Sequence, residues 1–142
     1  MKWAGGQRFD AGREGGPTAR LDGRGETGQS PPEGLLSALA SCTAVDVVEI
    51  LAKRRTPVQS LEIRVVGERV DTTPRRFKHI TLNFHIAGTG IELDQAERAV
   101  QLAVTKYCSV RDSLAADIQV DWKIDITPTV TTGTGSAARG AS

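Results

Sequence analysis

A chain of 142 residues with 39% hydrophobic and 25% charged residues is long enough to bury a core and polar enough to fold as a globule. Its formal charge of +1, spread without any basic stripe, argues against nucleic acid or an anionic membrane as the main partner, since either would require a strong basic excess. No apolar signal core follows Met1-Lys2-Trp3-Ala4-Gly5-Gly6, so the expected location is the cytoplasm, where Cys42 and Cys108 would stay reduced. Composition leaves two readings of these thiols open: a pair of inert buried side chains, or a reactive pair.

Residues 1–30 are rich in Gly and Arg, with Trp3, Phe9 and Leu21 as the large apolar anchors. Gly5-Gly6, Gly15-Gly16-Pro17 and Asp22-Gly23 are turn signals, and short strands joined by hairpins are expected between them. From Ser30 to Lys53-Arg54-Arg55 the pattern is one long, mostly apolar helix. Ser30 is placed to cap it, Pro32 suits its first turn, and Pro57 forbids its continuation. Between the first turn, which carries Glu33, and Lys53 the only charges are Asp46 and Glu49, so it must be covered on most sides.

Leu61, Ile63 and Val65 then alternate with Glu62 and Arg64 to give a half-buried strand, with Gly67 as a candidate bulge. Ile80, Leu82, Phe84 and Ile86 form a second strand, antiparallel to the first. Asp94 and Glu97 have the spacing of a capping box, opening an amphipathic helix through Ala96, Ala99, Val100, Ala103, Val104, Tyr107, Val110 and Leu114. Ile118, Val120, Trp122, Ile124 and Ile126 make the last strand, with Trp122 facing the core.

This order predicts an α+β fold in which an antiparallel sheet carries a long central apolar helix and a second amphipathic one. A single domain would span residues 1–128, with a disordered tail at 129–142. One sheet cannot cover both helices, which implies an interlocked homodimer that buries two central helices against each other.

On the first helix Asp46, Glu49 and Lys53 share the side of Cys42, where the apolar half meets the charged half. Two nearby anions raise a thiol pKa, so a reactive Cys42 needs a cation from elsewhere, with Arg8, Arg20 and Arg24 of the N-terminal segment, or the partner subunit, as candidates. If the second helix is regular, Cys108 lies at the margin of its apolar arc, near Glu97, Gln101 and Asp112. His79 and His85 on one strand lack the spacing of metal ligands and read as solvated or hydrogen-bonded side chains.

The segment from Ser30-Pro31-Pro32-Glu33-Gly34 to Ser41-Cys42-Thr43-Ala44-Val45-Asp46, followed by Lys106-Tyr107-Cys108-Ser109-Val110, resembles the osmotically inducible protein C and organic hydroperoxide resistance family. The similarity runs over roughly residues 30–126 and is nearest to the branch with a Tyr-Cys-Ser-Val second motif. It implies a thiol peroxidase for organic hydroperoxides that needs no metal, haem or flavin: Cys42 attacks the peroxide, Cys108 resolves the sulfenic acid as a disulfide, and an external dithiol resets the pair. By the same resemblance Glu33 and an arginine, for which Arg24 is the nearest candidate, would steady the thiolate. Glu33 also reads as a plain first-turn carboxylate, because it falls opposite Cys42 on a regular helix. The competing expectation is a non-catalytic dimeric module of the same fold that binds a small ligand or senses redox state.

Overall fold

A computed structural model describes residues 1–129. The tail expected from residue 129 lies, Thr129 apart, outside the described residues. The N-terminal segment forms three short antiparallel strands, β1 (Lys2–Trp3), β2 (Arg8–Gly12) and β3 (Thr18–Asp22), in that order across one sheet. Between β3 and the first helix the chain doubles back, so that the Asp22 N–H meets the Gln29 carbonyl at 2.9 Å. The Asp22 carboxylate organises this turn by accepting the N–H groups of Arg24 and Thr27 and the Thr27 hydroxyl. Three donors to one buried carboxylate stabilise its charged form and lower its pKa to about 2.

Helix α1 (Pro31–Lys53) has the boundaries expected of its sequence. Ser30 and Glu33 exchange hydrogen bonds in a capping box, with the Ser30 N–H on Glu33 Oε2 at 2.8 Å. At the other end Arg55 takes a left-handed conformation with φ of 63°. There its N–H and that of Thr56 reach back to the carbonyls of Ala52 and Leu51, the hydrogen-bond pattern that closes a helix before a turn.

The second sheet holds β4 (Ser60–Arg69), β5 (Phe77–Ala87) and β6 (Gln119–Thr127), with β5 in the centre. β4 and β5 pair antiparallel, as their hairpin demands. β6 pairs parallel to β5, so the sheet is mixed and the expectation of an antiparallel sheet is corrected. The cause is the connection: a helix crosses the sheet face between β5 and β6 and returns the chain to the same end, which is how parallel neighbours are joined.

That crossover begins with α2 (Leu93–Leu102). It starts one residue before the proposed capping box, so Asp94 lies inside the first turn, with its Oδ1 on the Gln95 N–H, and no side chain caps the helix. α2 also stops sooner than its apolar pattern implies. A π-helical turn, Ala103–Tyr107, an extended Cys108 and a five-residue helix α3 (Ser109–Ser113) replace the expected continuous helix.

Ile80, Leu82, Phe84 and Ile86 of β5 form the centre of the core, packed under Leu39, Val47 and Leu51 of α1 and Ala96, Ala99, Val100 and Ala103 of α2. Burying each large aliphatic side chain there stabilises the fold by about 1.5–3 kcal/mol. The alanines keep the two helices close above one sheet face. Gly67 belongs to this packing: a Cβ there would stand 2.5 Å from the Phe77 ring and 3.1 Å from Leu36, while the register shift in β4 comes one residue later, between Glu68 and Arg69. Gly67→Ala is therefore expected to destabilise the protein by about 1–3 kcal/mol through overpacking, measured by urea unfolding. A bulge role would instead leave an alanine tolerated.

Candidate active site

Cys42 lies near the middle of α1, half-buried, on the side of the helix that meets the π-helical turn and α3. Its neighbour Thr43 is turned into the core and bonds back to the Ala40 carbonyl. Cys108 is 4% exposed and occupies the joint of the broken helix. Its N–H closes the π-helical turn on the Ala103 carbonyl at 2.9 Å, and its carbonyl accepts from Asp112. Its Sγ accepts the Arg111 N–H at 3.2 Å, so a thiol stands where Ser, Thr or Asp usually caps a helix.

The break sets Cys108 against Cys42. With Cys108 in extended backbone, the start of α3 at Ser109 and Val110 comes beside Cys42. The Val110 N–H does most to lower the Cys42 pKa; burial opposes it, and the Cys108 thiol, the Ser109 hydroxyl and the Ser109 N–H add to the lowering. Burial is the main cause pushing the Cys108 pKa up, reinforced by the hydrogen bond and negative charge of Cys42. The two shifts run in opposite directions, so Cys42 is the more acidic thiol of the pair and Cys108 holds its proton to higher pH. The Ser109 Oγ is 4.0 Å from the Cys42 Sγ.

The charges expected around Cys42 act elsewhere. Glu49 pairs with Lys53 at 3.9 Å on the exposed side, and neither Glu49 nor Asp46 figures among the groups that shift the thiol. Glu33 is held in the capping box, which lowers its own pKa, and stands roughly 13 Å along the helix axis from Cys42. Arg20 is paired with Asp10 at 2.6 Å, Arg8 bonds the Gly5 carbonyl, and Arg24 sits in the turn held by Asp22. Among the described residues no cation contributes to the acidity of Cys42. Within one chain the groups that lower its pKa are the backbone of Val110 and Ser109 and the side chains of Cys108 and Ser109.

The π-helical turn, and with it Ser109 and Val110 as ligands of the thiol, was not foreseen in the sequence. A signal was present in Thr105, whose hydroxyl bonds the Gln101 carbonyl at 2.6 Å, a contact that bends helices. Beside Cys108 opens a cleft of about 330 Å³ lined also by Lys106, Tyr107, Ser109 and Arg111. Farther along, Trp122 is half-buried against the core and lines an adjoining cleft. His79 lies between Glu68 and Asp121, at 3.5 and 2.7 Å, and His85 stands 3.5 Å from Asp125. No group of three His, Cys, Asp or Glu side chains among the described residues is arranged to hold a metal ion.

The sequence profile of the OsmC-like proteins matches residues 23–123, which include both cysteines and every element that positions them. The chain belongs to the OsmC-like protein family. Within it, protein YhfA of Escherichia coli K12 is 35% identical over 127 residues, covering 89% of this chain and 95% of that protein. A hypothetical protein of Aquifex aeolicus VF5 shares the fold with a TM-score of 0.74 and 26% identity, over 89% of this chain and 93% of its own. The organic hydroperoxide resistance protein OhrB of Bacillus subtilis superposes with a TM-score of 0.53 at 15% identity, over 84% of this chain and 96% of its own, and so speaks to the fold alone.

Two thiols with opposite proton preferences titrate in a fixed order in this OsmC-like site. Alkylation by iodoacetamide across pH, read by mass spectrometry, is expected to modify Cys42 first, with a midpoint below that of an ordinary thiol. Cys108→Ala raises the Cys42 midpoint, because a donor to the thiolate is lost. Cys42→Ala lowers the Cys108 midpoint, because the neighbouring charge is gone. Modification of Cys108 first would contradict this order.

Proposed function

We propose that the protein is a thiol-dependent peroxidase that reduces organic hydroperoxides. The observation that carries this reading is the placement of two free thiols at one joint between α1 and α3, Cys42 the more acidic of the two and Cys108 the less. A thiolate is the nucleophile that peroxide chemistry requires, and a protonated thiol in contact with it is a resolving group held in reserve.

The Cys42 thiolate attacks the terminal oxygen of the hydroperoxide. The S–O bond forms as the O–O bond breaks, and the alkoxide leaves with the electron pair and takes a proton from water. Cys108 then loses its proton and attacks the Cys42 sulfenic acid, forming the disulfide and releasing water. An external dithiol restores both thiols by exchange. The two cysteines and the dithiol balance the electrons of this cycle without a cofactor. Neither step needs Glu33 or Arg24 at the sulfur, since the Val110 and Ser109 donors already favour the thiolate. Relatives in fold include proteins named for organic hydroperoxide resistance, from Bacillus subtilis and Legionella pneumophila, and the proposed substrate class is taken from those names.

The acting species in this reading is a homodimer. α1 has a mean hydropathy of 1.8 over its most apolar stretch, of which 22% is buried within one chain, and Leu35, Val45 and Val48 are exposed along it. A second copy is the partner that covers such an edge. The setting is the cytoplasm, whose reducing poise makes the disulfide transient.

One observation favours a second reading, a redox-sensing module of the same fold without turnover: among the described residues no guanidinium acts on Cys42. Consumption of cumene hydroperoxide with dithiothreitol as reductant separates the two. Wild-type protein is expected to consume many equivalents, Cys42→Ser none above background, and Cys108→Ser, assayed without reductant, a single equivalent that leaves Cys42 as the sulfenic acid. Survival of both thiols in the presence of several equivalents of peroxide would contradict the peroxidase reading.

A further inference from the structure

Ser109 forms no part of the two-cysteine scheme above, yet its hydroxyl is the side-chain oxygen that approaches the reacting sulfur. Its Oγ stands 4.0 Å from Cys42 Sγ, at the outer edge of an O–H···S contact. Hydroxyl hydrogen bonds to oxygen span about 2.5–3.0 Å, so the gap is too long for a strong bond to the sulfur and suits an oxygen atom carried on it. Among the described residues the hydroxyl has no other partner: Ser113 bonds the Ser109 carbonyl, at 2.7 Å, and leaves Oγ free. The side chain is exposed and lines the cleft beside Cys108, Tyr107 and Arg111, so a peroxide oxygen reaches it from solvent.

We propose that the Ser109 hydroxyl is a catalytic group that holds the oxygen being transferred to Cys42. The inference rests on the peroxidase reading and adds to it how the substrate is oriented. In the encounter complex Ser109 Oγ accepts the O–H of the hydroperoxide and aligns its terminal oxygen with the sulfur. As the S–O bond forms and the O–O bond breaks, the alkoxide departs with the electron pair and is protonated by water, and Ser109 keeps its own proton. The same hydroxyl then holds the sulfenic acid oxygen while Cys108 approaches the sulfur. Positioning of this kind acts on the oxygen and leaves the intrinsic nucleophilicity of the thiolate alone.

The test compares two reactions of Cys42 above its titration range, where changes in pKa no longer matter: oxidation by cumene hydroperoxide and alkylation by iodoacetamide, which delivers no oxygen. Ser109→Ala is expected to slow oxidation about 10- to 100-fold while alkylation keeps its wild-type rate, and Ser109→Thr, which retains a hydroxyl, is expected to restore oxidation. Unchanged oxidation in Ser109→Ala would overturn the proposal. So would a parallel loss of both reactions, which marks a packing defect, or failure of the threonine variant to recover. If wild-type Cys42 is alkylated normally and yet inert to the peroxide, the peroxidase reading itself fails and this role falls with it.

Discussion

The site depends on one irregularity, the hydrogen bond from the Cys108 N–H to the Ala103 carbonyl. That bond inserts an extra residue into the helical ladder, ends α2 early and leaves Cys108 in extended backbone. A π-helical turn costs packing regularity and is commonly found where a side chain must be aimed. Here it buries the Cys108 side chain and brings Ser109, at the start of α3, beside the Cys42 sulfur. Both thiols are held from rigid elements. α1 is fixed by its capping box and by Leu39, Val47 and Leu51, and Arg111 ties α3 to the strand entry through its bond to the Ile118 carbonyl at 2.9 Å.

The electrostatic consequence is economical in charge. A buried thiolate paired with a buried arginine would require two desolvated ions, whereas dipolar N–H and O–H donors support the anion without adding a second charge. The position of Cys42 within α1 gains little from the helix dipole, and the donors all come from the segment opposite. Because the donor set includes the Cys108 thiol, ionisation of one cysteine opposes ionisation of the other. Cys42 is therefore the thiol that ionises first and Cys108 the one that keeps its proton longer.

Much of this fold was legible in the sequence because its signals were local. Ser30, Pro32 and Pro57 mark the ends of α1, alternation at 61–65, 80–86 and 118–126 marks β4, β5 and β6, and glycine pairs mark the N-terminal turns. The direction of β6 was not legible, since strand alternation is the same in parallel and antiparallel neighbours and only the path of α2 distinguishes them. The break at Cys108 was hidden for a related reason. Val104, Val110 and Leu114 continue a helical spacing on paper, and an inserted residue in the ladder leaves that spacing nearly intact over so short a stretch. With the helix taken as regular, Cys108 seemed marginal and Cys42 seemed to need a cation. Both cysteines were identifiable by family motif, but the donors around them were not, because backbone N–H groups have no letter in a sequence.

α1 serves two purposes that pull in different directions. One stripe anchors the core, and the opposite edge, with Leu35, Val45 and Val48, stays apolar and open. Cys42 lies between these two zones, half-buried and supported from within the chain by the π-helical turn and α3. The central claim is that Cys42 and Cys108 of one chain form a single functional unit. Peptide mapping by mass spectrometry after one equivalent of cumene hydroperoxide tests this most directly: the account predicts an intrachain Cys42–Cys108 disulfide as the sole oxidised product. A Cys42 sulfinic acid, or a disulfide joining Cys42 of two chains, would contradict it.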